Sequence, residues 1–422
     1  MTRITKSLAR ILAAFGMITA GGCATTHGAE LFTPEHVARL RSVGSAEISP
    51  DGRMVAYTVS VPRRPFEDED GPAWSELHVT DLSGASRPFI TGEGSVGSIH
   101  WTPDGNGISF LAKRGKDKHR SLYVIPIDGG EARNVLSHKT AIGSYDWSPD
   151  GSRVAFLATD KKDKRIKKLA DKGFGQEVYE EELRFTRVWI GTPDDDDAES
   201  RMLELEGSAS GLHWSPDGKR LVVALAPTPL IDDRYMKRKV YVVDAESGKT
   251  LARFDNPGKL GQVAWSPDGK RLAMILAEDL HDPSAGRLMV ASASGGPLKD
   301  ILPNYEGQVG SIAWQDNDTI MFLGDEGVWT TLQEIRYDGT GRKTHMGTGE
   351  AVMFGLRLSK DGQIGVVRGQ SDRHPSEVYV MAHGDAGPRR LTDTNPWLAD
   401  MRFAKQEVIT HNARDGLRLE GI

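Results

Sequence analysis

The sequence predicts an all-β protein, a seven-bladed β-propeller of four-stranded antiparallel blades. Three observations predict it. A four-residue phrase recurs, its Asp positions separated by 53, 46, 67, 51, 48 and 45 residues. Tryptophan stands directly before it at Trp101, Trp147, Trp214, Trp265 and Trp314. Between copies, β-branched and aromatic runs alternate with Gly- and Asp-rich turns, without the 3.6-residue period of a helical solenoid.

The first copy is Ser49-Pro50-Asp51-Gly52; complete copies follow at 102–105, 148–151, 215–218 and 266–269, with worn ones at 315–318 and 359–362. Each part has a local reason. Ser or Thr bonds the backbone ahead, Pro presets φ, Asp suits the third position, and Gly takes the positive φ that closes a hairpin. An apolar run follows each turn, as in Val154-Ala155-Phe156-Leu157 and Leu272-Ala273-Met274-Ile275-Leu276. These runs read as strands buried on both faces. A second strand set follows in each unit, as in Lys239-Val240-Tyr241-Val242-Val243, and then another turn. A sheet of about four strands cannot cover both of its faces alone. Radial packing of seven such sheets, over residues 38–394, solves that. The repeated Trp residues, with Tyr123, Tyr241 and Tyr379, are expected as core between blades.

Composition excludes several classes. Hydrophobic residues make up 38% and charged residues 27%, which is too apolar for a disordered chain and too charged for a polytopic membrane protein. The net charge of −6, with Lys+Arg 53 against Asp+Glu 59, argues against nucleic acid as a partner. One Cys excludes a disulfide framework. None of the 12 His sits at metal-ligand spacing with another, so no metal or cofactor is expected. Four acids at 194–197 lack the spacing of a calcium loop. No Gly-x-Ser-x-Gly elbow exists: Glu93 replaces the first Gly of the nearest candidate, and Ala209 occupies the nucleophile position of another. No catalytic residue is therefore assigned.

The N-terminus reads as an address. Arg3, Lys6 and Arg10 precede the apolar run Ile11–Ala20, about half of a bilayer-spanning length, and Gly21, Gly22 and Cys23 follow. Residues 1–22 are expected to be a secretory signal, and 23–37 a linker. The Ala20-Gly21-Gly22-Cys23 segment resembles a bacterial lipoprotein cleavage box, in which Cys23 becomes the lipidated N-terminus. Ordinary cleavage near the same bond is the alternative. Either way the chain is expected to be exported and periplasmic; in the lipoprotein reading, lipid on Cys23 is its one link to the outer membrane.

The longest interval, 67 residues, holds a basic stretch from Asp160 to Lys168 and then Val178-Tyr179-Glu180-Glu181-Glu182. Departures from a repeat are where function is grafted. The basic stretch reads as a solvated arm or helix face.

The repeat behind a secretory signal resembles the propeller half of the prolyl oligopeptidase family of serine peptidases, of the bacterial dipeptidyl-peptidase or acylaminoacyl-peptidase type. The tail carries the resemblance further. In 395–422, Asn395-Pro396-Trp397 leads to Val408-Ile409-Thr410 and then to Asp415-Gly416 and Leu417–Ile422. This looks like the family's crossing into an α/β-hydrolase domain, of which only the start is expected here. The resemblance implies that the nucleophile, acid and His lie in that domain, outside this sequence, so that the chain is a substrate-gating portion acting on short peptides. It also implies a role for Glu180 and Glu181, similar to the family's double-Glu segment that holds a peptide's free ammonium. The alternative is an exposed acidic helix end. Arg234, in another inter-strand loop, fits either a funnel-lining cation or a surface ion pair. The competing reading of the whole is a non-catalytic TolB-like periplasmic propeller that docks proteins or peptides at its funnel. Against it, 23–37 leave no room for the domain those proteins carry before the propeller. A lipid-anchored scaffold is the third reading.

Overall fold

In the computed structural model, residues 30–422 are described, except Glu177, Asp196 and Glu350. The expected signal and Cys23 lie outside the described residues. Seven four-stranded antiparallel sheets follow one another, each built from four consecutive strands. The expected all-β propeller is what the chain forms. The first strand of each blade is innermost: Ser42–Ile48, Gly97–Trp101, Ile142–Trp147, Ser208–Trp214, Leu260–Trp265, Gln308–Trp314 and Val352–Leu358. The fourth strands are short and lie at the rim, as in Arg201–Met202 and Arg389–Arg390. The second strands are the most buried, Gly107–Ala112 along its whole length.

Each phrase turns the first strand into the second. Gly52, Gly105, Gly151, Gly218, Gly269 and Gly362 have φ between 66° and 74°, where L-residues are strained. Ser148 Oγ donates to Asp150 Oδ1 at 2.6 Å and accepts the Arg153 N–H at 2.9 Å. Ser49, Thr102, Ser215, Ser266 and Ser359 repeat the pattern. In the worn sixth copy Asp316 alone does this work, accepting from the Asp318 and Thr319 N–H groups at 2.7 Å.

The tryptophans are core, and they also tie each blade to the one before. The indole N–H of Trp101 reaches the Glu47 carbonyl at 3.0 Å, Trp214 the Asp146 carbonyl at 3.1 Å, Trp265 the His213 carbonyl at 3.3 Å and Trp314 the Ala264 carbonyl at 3.1 Å. Trp147 bonds Ser109 Oγ at 2.9 Å, and Ser109 donates to the His100 carbonyl at 3.0 Å. Further out, a basic residue of the fourth strand reaches the next blade: Arg87 to the Ile127 carbonyl, Arg201 to the Ala245 carbonyl, Lys299 to the Asp338 carbonyl. Blade sheets twist, so their faces diverge toward the rim, and long cationic side chains bridge the widening gap.

Among the described residues no strand is exchanged at ring closure: the first and seventh sheets are each continuous in sequence. Packing closes the ring. Val43, Ile48, Val55 and Val59 of blade one share a core with Val366, Val378 and Val380 of blade seven. Asn395 adds two bonds across the junction, accepting the Arg41 N–H at 2.9 Å and donating to the Arg41 carbonyl at 2.7 Å. Glu377, wholly buried, accepts from the Thr392 hydroxyl at 2.6 Å and from the Thr394 N–H and hydroxyl at 2.8 and 2.7 Å. It thereby holds the segment that delivers Asn395.

Candidate functional site

Strand alternation gives the ring two faces. One carries the phrase turns and is regular. The other carries the connections between second and third strands, and these vary: 227–238 and 160–185 are long, whereas 372–373 is a tight turn. Because the fourth strand runs back to this second face, the chain enters blade one and leaves blade seven there. The insertions and the tail therefore share a face, called here the loop face.

The insertion in blade three is closed at its base as a continuation of the hairpin. The Asp160 N–H bonds the Phe185 carbonyl at 2.8 Å, and Arg187 pairs with Asp160 at 3.2 Å. Helix α2, Lys164–Ala170, follows the short helix α1, Pro34–Val37, in chain order. Asp163 caps α2 by accepting the Arg165 N–H at 2.6 Å, and none of its residues is buried. The basic stretch is thus a solvated helix face, as expected. The double-Glu segment is not a helix end. It forms a turn with positive φ at Glu180 (63°) and Glu182 (51°), held by the Glu181 N–H to the Val178 carbonyl at 3.2 Å. Non-glycine residues occupy this region at a cost of about 1 kcal/mol or more. Glu180 and Glu181 line an open cavity of about 650 Å³ between this turn and the start of α2, with Lys161, Lys162 and Arg184 also on its wall. The cavity is mixed in charge and open to solvent.

Arg234 lies in the neighbouring blade, exposed on helix α3, Ile231–Met236. It does not line the cavity of Glu180 and Glu181. The helix is anchored by Asp233, which takes a 2.9 Å bond from Lys237 and a 2.7 Å bond from Thr228 Oγ1; these hold its carboxyl below the usual range. Just beyond, Arg238 reaches the Leu260 carbonyl of the next blade at 2.5 Å, and burial lowers its affinity for its proton. The two sequence-predicted elements thus share a face but form separate features.

Sequence reasoning missed two sets of residues. One is the position before the Trp, or before the residue that replaces it, in blades one, two, three, four and seven. Glu47, His100, Asp146, His213 and Arg357 place polar side chains on the innermost strands, joined in part by Arg357–Glu47 at 3.0 Å and His213–Asp146 at 3.7 Å. The spacing of the phrase would have found them. The other is a second repeat, Val-Gly-Ser at 43–45, 96–98 and 309–311 and Ile-Gly-Ser at 142–144. These sit at or beside register shifts in the innermost strands.

The tail docks on the loop face. The 3₁₀ helix Pro396–Asp400 stacks Trp397 on Phe32 and His36, and Arg39 lies 4.2 Å from the Trp397 ring centre. Met401–Arg402 pairs in parallel with Glu30–Leu31. The terminal strand, Arg418–Gly421, pairs antiparallel with Ile409–Asn412, and Leu417 and Ile422 are exposed. Trp329, His374, Val408 and Ile422 wall a cavity of about 820 Å³ where this hairpin meets blades six and seven.

No protein-family profile matches the sequence. Dipeptidyl-peptidase 5 of Porphyromonas gingivalis is 26% identical over 407 residues, which is 89% of this chain and 58% of that protein. The chain thus spans somewhat over half the length of that relative. Among solved structures, Pyrococcus horikoshii acylaminoacyl peptidase superposes with TM-score 0.70 at 16% identity, over 93% of this chain and 58% of that one. The β-propeller domain of the trilobed protease of Pyrococcus furiosus, described as having an open velcro topology, superposes with TM-score 0.57 at 17% identity, over 85% of this chain and all of that domain. In sequence and in fold, the chain is similar along most of its described length to the propeller portion of peptidases of the dipeptidyl-peptidase and acylaminoacyl-peptidase type.

Proposed function

We propose that this chain is the substrate-gating propeller of an exported serine peptidase that acts on short peptides. The observation that carries the reading is the shared loop face: the two long insertions and the tail lie on it, on a chain similar to dipeptidyl-peptidase 5 over 89% of its length. In this reading the ring filters by size and orients peptides, and a hydrolase part supplies acyl transfer through an activated Ser. Glu180 and Glu181 offer two carboxylates to the free ammonium of a peptide, a charge-assisted contact that counts residues from the amine end. Arg234, exposed one blade on, is available to a peptide carbonyl or carboxylate. Export and lipid attachment at Cys23 belong to the same proposal.

Peptide titration tests it. The full chain is titrated calorimetrically with a neutral dipeptide carrying a free amine and with its N-acetylated form. The reading expects the free-amine peptide to bind more tightly, and the paired substitution Glu180→Gln with Glu181→Gln to remove the difference. Equal binding of both peptides by the unaltered chain sinks the double-Glu role. No peptide binding at all sinks the gating role.

A further inference from the structure

The phrase turns set up a second repeated element, independent of the loop face. The residue whose N–H bonds the phrase hydroxyl opens the second strand and aims at the next blade. In blades three, four and five it is arginine. Arg153 bonds the Gly218 carbonyl at 2.8 Å and lies 4.7 Å from the Trp214 ring centre. Arg220 bonds the Gly269 carbonyl at 2.9 Å and lies 4.9 Å from Trp265. Arg271 bonds the Asn317 carbonyl at 3.3 Å and lies 3.8 Å from Tyr337. Blades one and seven place Met54 and Ile364 at the equivalent position, and blade six, whose turn is one residue shorter, places Thr319 there. Blade two alone has no side chain there. Gly107 takes the hydroxyl bond, from its N–H to Thr102 Oγ1 at 2.9 Å, and sends nothing across.

What remains is a cavity of about 470 Å³ on the phrase-turn face between blades two and three. Gly107, Trp147 and the Gly151 turn lie on its wall, the same surroundings of Trp and turn glycine that hold Arg153 and Arg220 in the next two junctions. Four carboxylates, Asp104, Asp128, Asp150 and Asp194, line it as well. An aromatic face beside carboxylates favours a planar cation over an apolar group. One cation already stands at the rim: Arg133 pairs with Asp194. The next junction shows that this is compatible with a second. There Arg201 stands at the same rim position, and both it and Arg153 approach Glu246, at 3.9 and 3.6 Å.

We propose that this gap is a binding site for a guanidinium supplied from outside, the arginine side chain of a peptide or protein partner docking on the phrase-turn face. The partner's arginine completes the series that Arg153, Arg220 and Arg271 make within the chain. Nothing in this site depends on the loop face, so its test is separate from that of the gating role.

The test titrates the full chain with Nα-acetyl-arginine amide and, in parallel, with Nα-acetyl-norleucine amide, which fills the slot as Met54 fills its own but carries no charge. Saturable one-site binding is expected for the arginine compound, with a dissociation constant of about 1–10 mM for a single solvent-accessible side chain. The norleucine compound should not saturate. Asp128→Asn should weaken the arginine compound about threefold or more. Gly107→Arg, which fills the slot from within, should abolish its binding. An added Cβ at 107 meets Val124 Cγ1 at 2.9 Å, so the fold of that variant is checked first by circular dichroism. If it does not fold, the norleucine comparison and Asp128→Asn decide. Lack of saturation, equal binding of both compounds, or saturation that survives every folded variant unchanged overturns the proposal.

Discussion

Arg357 of the last blade and Glu47 of the first form a 3.0 Å ion pair at the ring-closing junction, one of the two where no Trp reaches back. Ile48 and Leu358 stand at the Trp positions of blades one and seven. The ring therefore closes with side chains where other ring proteins exchange a strand, and this junction should set its stability. Glu377 holds that junction from inside. Glu377→Ala leaves the buried Thr392 hydroxyl and the Thr394 N–H without their acceptor and should cost about 3–5 kcal/mol. Urea unfolding followed by circular dichroism checks this; a loss below about 1 kcal/mol would contradict it.

The indole bonds predict an order. Trp214 is buried and its bond to the Asp146 carbonyl is 3.1 Å; Trp265 is half-buried and its bond is 3.3 Å. Trp214→Phe should lose about 1–3 kcal/mol, and Trp265→Phe distinctly less. Chemical denaturation of both variants reads the difference directly.

Arg153→Ala should reproduce in the next junction the gap that Gly107 leaves by nature. The expected loss is about 1–2 kcal/mol, from the Trp214 stacking and the Gly218 bond. Millimolar propylguanidinium should recover part of it, raising the thermal midpoint of the variant more than that of a Trp265→Phe control, which keeps only the Gly107 gap. Equal shifts in both would show non-specific action.

The phrase turns make stability depend on acid. Donation by the Ser148 hydroxyl, with help from Ser152, holds the Asp150 carboxyl down to about 2. Asp51, Asp104 and Asp361 are lowered in the same way, chiefly by the hydroxyls of Ser49, Thr102 and Ser359. A carboxyl with a depressed folded-state value stabilises fully above its unfolded value and loses that stabilisation as pH falls through the folded one. Stability should therefore hold down to about pH 4 and fall between about pH 4 and 2. Ser148→Ala should move the acid transition to higher pH, as followed by far-ultraviolet circular dichroism.

The ring was legible because each phrase encodes its own turn: Pro, Asp and Gly fix the local backbone, and seven copies fix the count. The links between blades were less legible. Arg153 and the Gly218 carbonyl it bonds lie 65 residues apart, and nothing in either local segment announces the other. Gly107 carried no signal by itself. It becomes informative only once the turns are superposed and an arginine is found in its place three times. The double-Glu segment could be located from sequence, but its positive-φ turn could not. Glu180 has no intrinsic preference for that backbone, which is adopted within a turn closed by the Glu181 N–H to the Val178 carbonyl.

The gating role is tested most directly by hydrogen exchange on the full chain, with and without a saturating neutral dipeptide lacking Arg and Lys. The account predicts slower exchange in 160–185 and 227–238 on the loop face, and no change in the phrase turns. Protection confined to the phrase turns, or none anywhere at saturation, would contradict it.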